Sequence, residues 1–180
     1  MNLPRKIVQL HRALADAAIP HAFGGALALA WCTQRARGTI DIDVNLFAAP
    51  AEARDILSAL PRGVAWTDDD VVRIERDGQV RLWWDETPVD VFFNTTEFHA
   101  RVAERMRWEP FLDVELPFLS CRDLAVFKAF FSRTRDWADL EEMAAAGALD
   151  VEAVLGVLVR YLGGDDDRVE RLRALALIGH

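Results

Sequence analysis

The chain has 180 residues, 52% hydrophobic and 28% charged, which excludes a disordered polypeptide and suffices for one domain with a packed core, or one domain with a helical extension. A net charge of −8 argues against tight nonspecific binding to DNA or RNA, although it leaves room for a local basic patch. No apolar run reaches the roughly 18 residues that span a bilayer, and the N-terminal stretch MNLPRKIVQLHRALADA carries charge where a signal peptide has its apolar core. The expected setting is the cytoplasm, with no membrane partner.

In chain order, residues 3–18 read as an amphipathic helix, with Ile7, Leu10, Leu14 and Ala18 at helical spacing and Pro4 in the first turn. Ile19-Pro20 ends it. His21-Ala22-Phe23 reads as a short strand, Gly24-Gly25 as a turn, and residues 26–34 as a helix of small residues. From Thr39 to Phe47 the apolar residues Ile40, Ile42, Val44 and Leu46 alternate with Asp41, Asp43 and Asn45, which predicts a strand with both aspartates on one face. Residues 50–60 are predicted helical, closed by Pro61 and Gly63. Asp77-Gly78 lies between Val71–Glu75 and Gln79–Trp84, and this predicts a β-hairpin. Residues 89–93 form a further strand with Asp90 facing away from Val89, Val91 and Phe93. Residues 95–106 read as helix, and residues 108–119 as one or two strands with Pro110 and Pro117 at edges.

Beyond Leu119 the periodicity becomes helical, over about 121–131, 136–146, 150–162 and 165–177, with Gly147 and Gly163-Gly164 as punctuation. Mixed strands and helices followed by helices give an α+β fold class: a mixed-sheet core over residues 1–119 and a helical segment over residues 120–180. Cys32 and Cys121 sit inside apolar helical patterns without partners at metal-ligand spacing, so reduced, buried thiols are expected. Asp68–Asp70 and Asp165–Asp167 are expected to be solvated loop or helix-start residues. Trp83, Trp84 and Trp108 are expected to pack in the core or on a sheet face. His21, His99 and His180 lack metal-like partners in sequence.

Three pieces carry chemistry. Phe23-Gly24-Gly25 running straight into a helix offers close backbone approach and a helix N-terminus to a phosphate. Asp41 and Asp43, at i and i+2 on one strand face, place carboxylates about 6.5–7 Å apart along the chain, a separation at which hard oxygen ligands hold Mg²⁺. Asp90, inside a run of Val and Phe, requires a partner to offset its burial and supplies a third carboxylate.

This pattern resembles the nucleotidyltransferase superfamily, with the fold of DNA polymerase beta: a hydrophobic residue, Gly-Gly, a helix, D-x-D on a strand, and a third acid on a later strand. It is more similar still to minimal bacterial nucleotidyltransferases related to the AbiEii toxins. Gly24-Gly25-Ala26-Leu27-Ala28-Leu29-Ala30, then Arg37, Thr39, Asp41 and Asp43, match their G-G-x-A-x-A-L-A…R-x-T-x-D-I-D. Asp123-Leu124…Lys128, Arg133 and Arg135-Asp136…Asp139-Leu140 resemble the family's later D-L-x-x-x-K…R…K-D-x-x-D-L segment, with Arg135 where Lys is common.

The resemblance implies transfer of an NMP from an NTP to an acceptor hydroxyl, with release of pyrophosphate. Asp41, Asp43 and Asp90 would hold Mg²⁺ or Mn²⁺ and act as the catalytic set. Gly24, Gly25, Arg37, Thr39 and Lys128 would bind the nucleotide. Asp136 and Asp139 are read as structural acids paired with arginines. The acceptor is RNA, as in toxin–antitoxin relatives, or else a small antibiotic-like molecule or a protein. The toxin-like reading carries with it an antitoxin partner. The contrasting reading is a module that binds nucleotide or a partner without catalysis.

Overall fold

The computed structural model of the chain describes residues 1–178, so His180 lies outside the described residues. The chain divides into two units, residues 1–27 with 38–119 and residues 28–37 with 120–180.

The first unit is built on a seven-stranded mixed sheet. Helix α1 (Leu3–Asp16) is capped by Asn2, whose side chain accepts from the Arg5 amide, and buries Ile7, Leu10 and Leu14. Strand β1 (His21–Phe23) leads into α2 (Gly25–Thr33), and β2 (Ile42–Leu46) follows. A 3₁₀ turn at Pro50–Glu52 opens α3 (Ala53–Ser58). Next come β3 (Val64–Ala65), α4 (Asp68–Asp77), β4 (Gln79–Trp84) and β5 (Thr87–Phe93). Helix α5 (Glu97–Val102) and the hairpin of β6 (Arg107–Phe111) and β7 (Val114–Phe118) complete it. The sheet order is β3-β4-β5-β2-β1-β7-β6. β2 runs parallel to β5 and β1 parallel to β7, and the other neighbours are antiparallel. Residues of alternating burial give the sheet two faces. Ile42, Val44 and Leu46 of β2, Val80, Leu82 and Trp84 of β4, and Val89, Val91 and Phe93 of β5 enter the core. Asp43, Arg81, Trp83 and Asp90 occupy the other face.

Lys6 is the buried charge of this unit. It is 3% exposed, and its Nζ donates to the Trp84 carbonyl at 2.6 Å and to the Thr87 hydroxyl at 3.1 Å, with Asp85 also 3.1 Å away. The ammonium thereby closes the α1 surface over the β4–β5 turn.

The expected hairpin around Asp77-Gly78 is corrected. Residues 71–75 are not a strand but part of α4. Thr67 and Asp70 bond reciprocally at its start, where the Thr67 amide and hydroxyl both donate to the Asp70 carboxylate at 2.9 Å. Asp68, Asp69 and Asp70 lie in the first turn, where the helix dipole favours them. Val71 and Ile74, at i and i+3, bury together. Gly78 takes φ 71° and ends the helix through its amide to the Ile74 carbonyl. The true hairpin joins β4 to β5 through Asp85-Glu86. The β2 strand is also shorter than expected, so Asp41 lies one residue before it.

The second unit holds the rest of α2 with α6 (Cys121–Phe131), α7 (Thr134–Ala145), α8 (Val151–Leu162) and α9 (Asp167–Ile178). Ser120 caps α6, accepting from the Asp123 amide at 3.1 Å. The expectation of free thiols is corrected here: Cys32 and Cys121 form a disulfide with Cα atoms 5.5 Å apart. Their separation of 89 residues hid the pairing, and both are only half-buried. No helix among the described residues is long and apolar enough to cross a membrane.

Candidate active site

Asp43 and Asp90 are register partners on adjacent parallel strands at the middle of the sheet. Neighbouring strands lie about 4.8 Å apart, so the two carboxylates start side by side on one face. Asp41 approaches from the segment just before β2, and Thr39 donates its hydroxyl to the Asp41 carboxylate. Thr39, expected as a nucleotide contact, bonds the Asp41 carboxylate here.

The glycine pair has a local reason. The Gly24 amide donates to the Asp43 carbonyl at 2.9 Å, which holds the β1–α2 junction to β2. Gly25 has φ 51°, a left-handed conformation that favours glycine. A Cβ at Gly25 would stand 1.8 Å from Asp43 Oδ2. The second glycine therefore makes room for a carboxylate that rests over the first turn of α2, where a helix N-terminus stabilises negative charge.

Arg81, which was not singled out from the sequence, completes this cluster. It faces Asp90 across β4 and β5 and grips it with two bonds, Nε to Oδ1 at 2.7 Å and Nη2 to Oδ2 at 2.6 Å. The pairing raises the arginine's pKa, first through the Asp90 hydrogen bonds and then through the fields of Asp90, Asp41 and Asp43. The strand alternation carried a signal, since it put Arg81 on the polar face of residues 79–84. Its partner was hidden by the misplaced hairpin. Trp83, on the same face, is 49% exposed, and Trp108 is 52% exposed, while Trp84 is buried. Trp84 packs in the core, whereas Trp83 on the outer face of β4 and Trp108 on β6, beside His11, leave their rings half in solvent.

Three carboxylates form a hard oxygen donor set that suits Mg²⁺ or Mn²⁺. Among the described residues no group of three carboxylate, imidazole or thiolate side chains is gathered tightly enough to hold an ion as it stands. The commitments of the side chains explain this: both Asp90 oxygens are on Arg81, and Asp41 is on Thr39. The donor chemistry and strand placement fit a divalent cation, and the rotamers must change to receive it.

Arg37 and Lys128 belong to the second unit and share one carboxylate there. Arg37 Nη1 is 2.5 Å from Asp139 Oδ1 and 3.2 Å from Glu142 Oε2, and Lys128 Nζ is 2.6 Å from Asp139 Oδ2. Asp136 receives Arg133 at 2.7 Å and lies 3.8 Å from Lys128. Asp136 and Asp139 are 2% and 3% exposed, so these are buried acids matched by cations.

Comparison with known proteins places the chain in a family. The chain resembles the antibiotic-resistance factor ANT(2'')-Ia in two solved structures at 14% identity. One is a solution structure, with TM-score 0.58 over 98% of this chain and 95% of that one. The other is the complex with adenylyl-2''-tobramycin, with TM-score 0.54 over 98% of both chains. An antigenic nucleotidyltransferase-like protein from Paracoccidioides brasiliensis is similar at 13% identity and TM-score 0.52, over 95% of this chain and 92% of that one. These likenesses establish the α+β nucleotidyltransferase-like fold expected from the sequence. No curated protein matches the sequence. Residues 22–174 match the model of a family described as nucleotidyltransferases of unknown function, and the chain therefore belongs to that family, DUF6036.

Proposed function

We propose that the protein is a metal-dependent nucleotidyltransferase that moves an NMP from an NTP to the hydroxyl of a small, cationic acceptor. The observation that carries the reading is the pair Asp43 and Asp90, side by side on the central strands of a family member, with Asp43 lodged over a glycine-opened helix. In this reading Asp41, Asp43 and Asp90 would hold Mg²⁺ or Mn²⁺, which would offset the charge of the triphosphate and lower the pKa of the acceptor hydroxyl. The hydroxyl oxygen forms a bond to the α-phosphorus as the bond to the β-phosphate bridge breaks, and pyrophosphate leaves. An Asp90 oxygen takes the hydroxyl proton. The start of α2 at Gly24-Gly25 favours the phosphates electrostatically.

The acceptor class rests on two supports. The net charge of −8 favours a cationic ligand over a polyanion. ANT(2'')-Ia, captured with adenylyl-2''-tobramycin, matches over nearly the full length of both chains. Trp83 offers an exposed aromatic plane on the carboxylate face for such an acceptor. The RNA acceptor and antitoxin partner implied by the AbiEii resemblance form the alternative.

The test is incubation with Mg²⁺ and each α-³²P-labelled NTP, against a panel of aminoglycoside-like compounds, total RNA and cell lysate, beside Asp41→Ala. We expect label on a small molecule, with a loss of at least about 10³-fold in the variant, the scale of removing a group acting directly on the transition state. Label on RNA or protein would move the acceptor to those classes. NTP binding with no transfer to any of them would turn the protein into a binding module.

A further inference from the structure

We infer that Arg81 is a built-in counter-cation that occupies Asp90 in competition with the divalent ion, so that metal binding requires the guanidinium to let go. This rests on the metal-dependent reading above. Asp43 and Asp90 stand side by side on one sheet face with Asp41 just before β2, an arrangement of negative charges that repels itself unless a cation is present. The Arg81 fork fills that need, with both carboxylate oxygens of Asp90 bonded at 2.7 and 2.6 Å. An ion that takes Asp90 as a ligand must displace at least one of those bonds.

The two partners differ in freedom. Asp90 lies on a central strand with its side chain 17% exposed, whereas the long Arg81 side chain, projecting from β4, is 53% exposed. The arginine is the member that can swing away at low cost, because its released guanidinium is rehydrated. Arg81 is a positioning residue: it holds Asp90 in place and neutralised until the cation arrives.

The experiment is a Mn²⁺ titration of the full chain without nucleotide, followed by the electron paramagnetic resonance of free Mn²⁺. It compares wild type, Arg81→Gln, Asp90→Asn and the double variant, with circular dichroism to verify folding. Arg81→Lys provides a second variant that keeps the charge and loses the fork. We expect Arg81→Gln to bind Mn²⁺ roughly five- to tenfold more tightly, the scale of one bidentate ion pair at a half-exposed site. Arg81→Lys should fall between it and wild type, and the gain should vanish in the Asp90→Asn background. Equal or weaker binding by Arg81→Gln and Arg81→Lys overturns the competition while leaving the nucleotidyl-transfer reading standing. Absence of Mn²⁺ binding in every protein overturns both.

Discussion

Gly25 concentrates the residue-scale logic of the site. From the sequence, Gly24-Gly25 reads as a phosphate cradle, because glycines before a helix permit close approach of an anion. The structure gives each glycine a nearer task. The Gly24 amide is bonded to the Asp43 carbonyl, and the space a Gly25 Cβ would fill belongs to Asp43 Oδ2. The anion that requires Gly25 is therefore the protein's own carboxylate. Gly25→Ala should push Asp43 off its position and strain a backbone at φ 51°. The backbone term is about 1 kcal/mol, small beside the kinetic effect. A displacement near 1 Å at a reacting group costs on the order of 10²-fold. We expect NMP transfer to fall by about that factor while the melting temperature drops by only a few degrees. Undiminished transfer by a folded Gly25→Ala protein would show that Asp43 does not need its place over α2.

At the scale of elements, the strongest local signals were legible and the pairings were not. The alternation in residues 42–46 and 89–93 reads directly as strands with Asp43 and Asp90 on the polar face, because a half-buried strand imposes a period of two. Asp77-Gly78 misleads because the same left-handed glycine serves a hairpin turn and a helix C-cap, and only the capping residues Thr67 and Asp70 distinguish the two. With the hairpin set one element too early, β4 loses β5 as its neighbour, and the Arg81–Asp90 pair becomes invisible. Lys128 was legible in a different way: a cation in the apolar stretch Leu124, Val126, Phe127 and Phe130 demands a reason. Asp139, on α7, supplies it at 2.6 Å and holds Arg37 as well. Asp139→Asn should therefore leave the buried ammonium only the more distant Asp136 carboxylate, at 3.8 Å, and destabilise the helical unit by up to about 3–5 kcal/mol. Denaturant unfolding followed by circular dichroism measures it. A double change, Lys128→Met with Asp139→Leu, should recover much of the loss, since it removes both charges together. A loss below about 1 kcal/mol in Asp139→Asn would mean that the pair is solvated and structurally idle.

For the whole molecule, the class α+β followed from strands early and helices late. The sheet order did not, since β1 lies between β2 and β7 and β2 between β1 and β5, contacts that no local pattern encodes. The Cys32–Cys121 link across 89 residues was hidden for the same reason. Buried histidines are another global property, and they predict how stability responds to acid. His21 is 4% exposed, and its Nδ1 lies 2.8 Å from the Ile19 carbonyl. A carbonyl cannot donate, so Nδ1 carries the proton and Nε2 accepts from His11 Nδ1, 2.9 Å away. A second proton on His21 would require His11 to change tautomer and accept at Nδ1 instead. Burial, the largest cause, lowers the His21 pKa to about 4, partly opposed by the Ile19 carbonyl and reinforced by His11. Burial likewise lowers His99 to about 4 and also lowers His11. Above the unfolded value of 6.5 these imidazoles are neutral in both states and cost nothing. As the pH falls from 6.5 toward 4 the unfolded chain takes up protons that the folded chain refuses, so stability drops through that window and the histidine contribution levels off below it. A shift from 6.5 to about 4 corresponds to roughly 3 kcal/mol for His21. Urea unfolding at a series of pH values, for wild type and His21→Gln, isolates that part. The variant should start less stable at pH 7.5 and lose less on acidification, so that the two curves converge near pH 4. Parallel curves would mean that His21 accepts its proton within the fold.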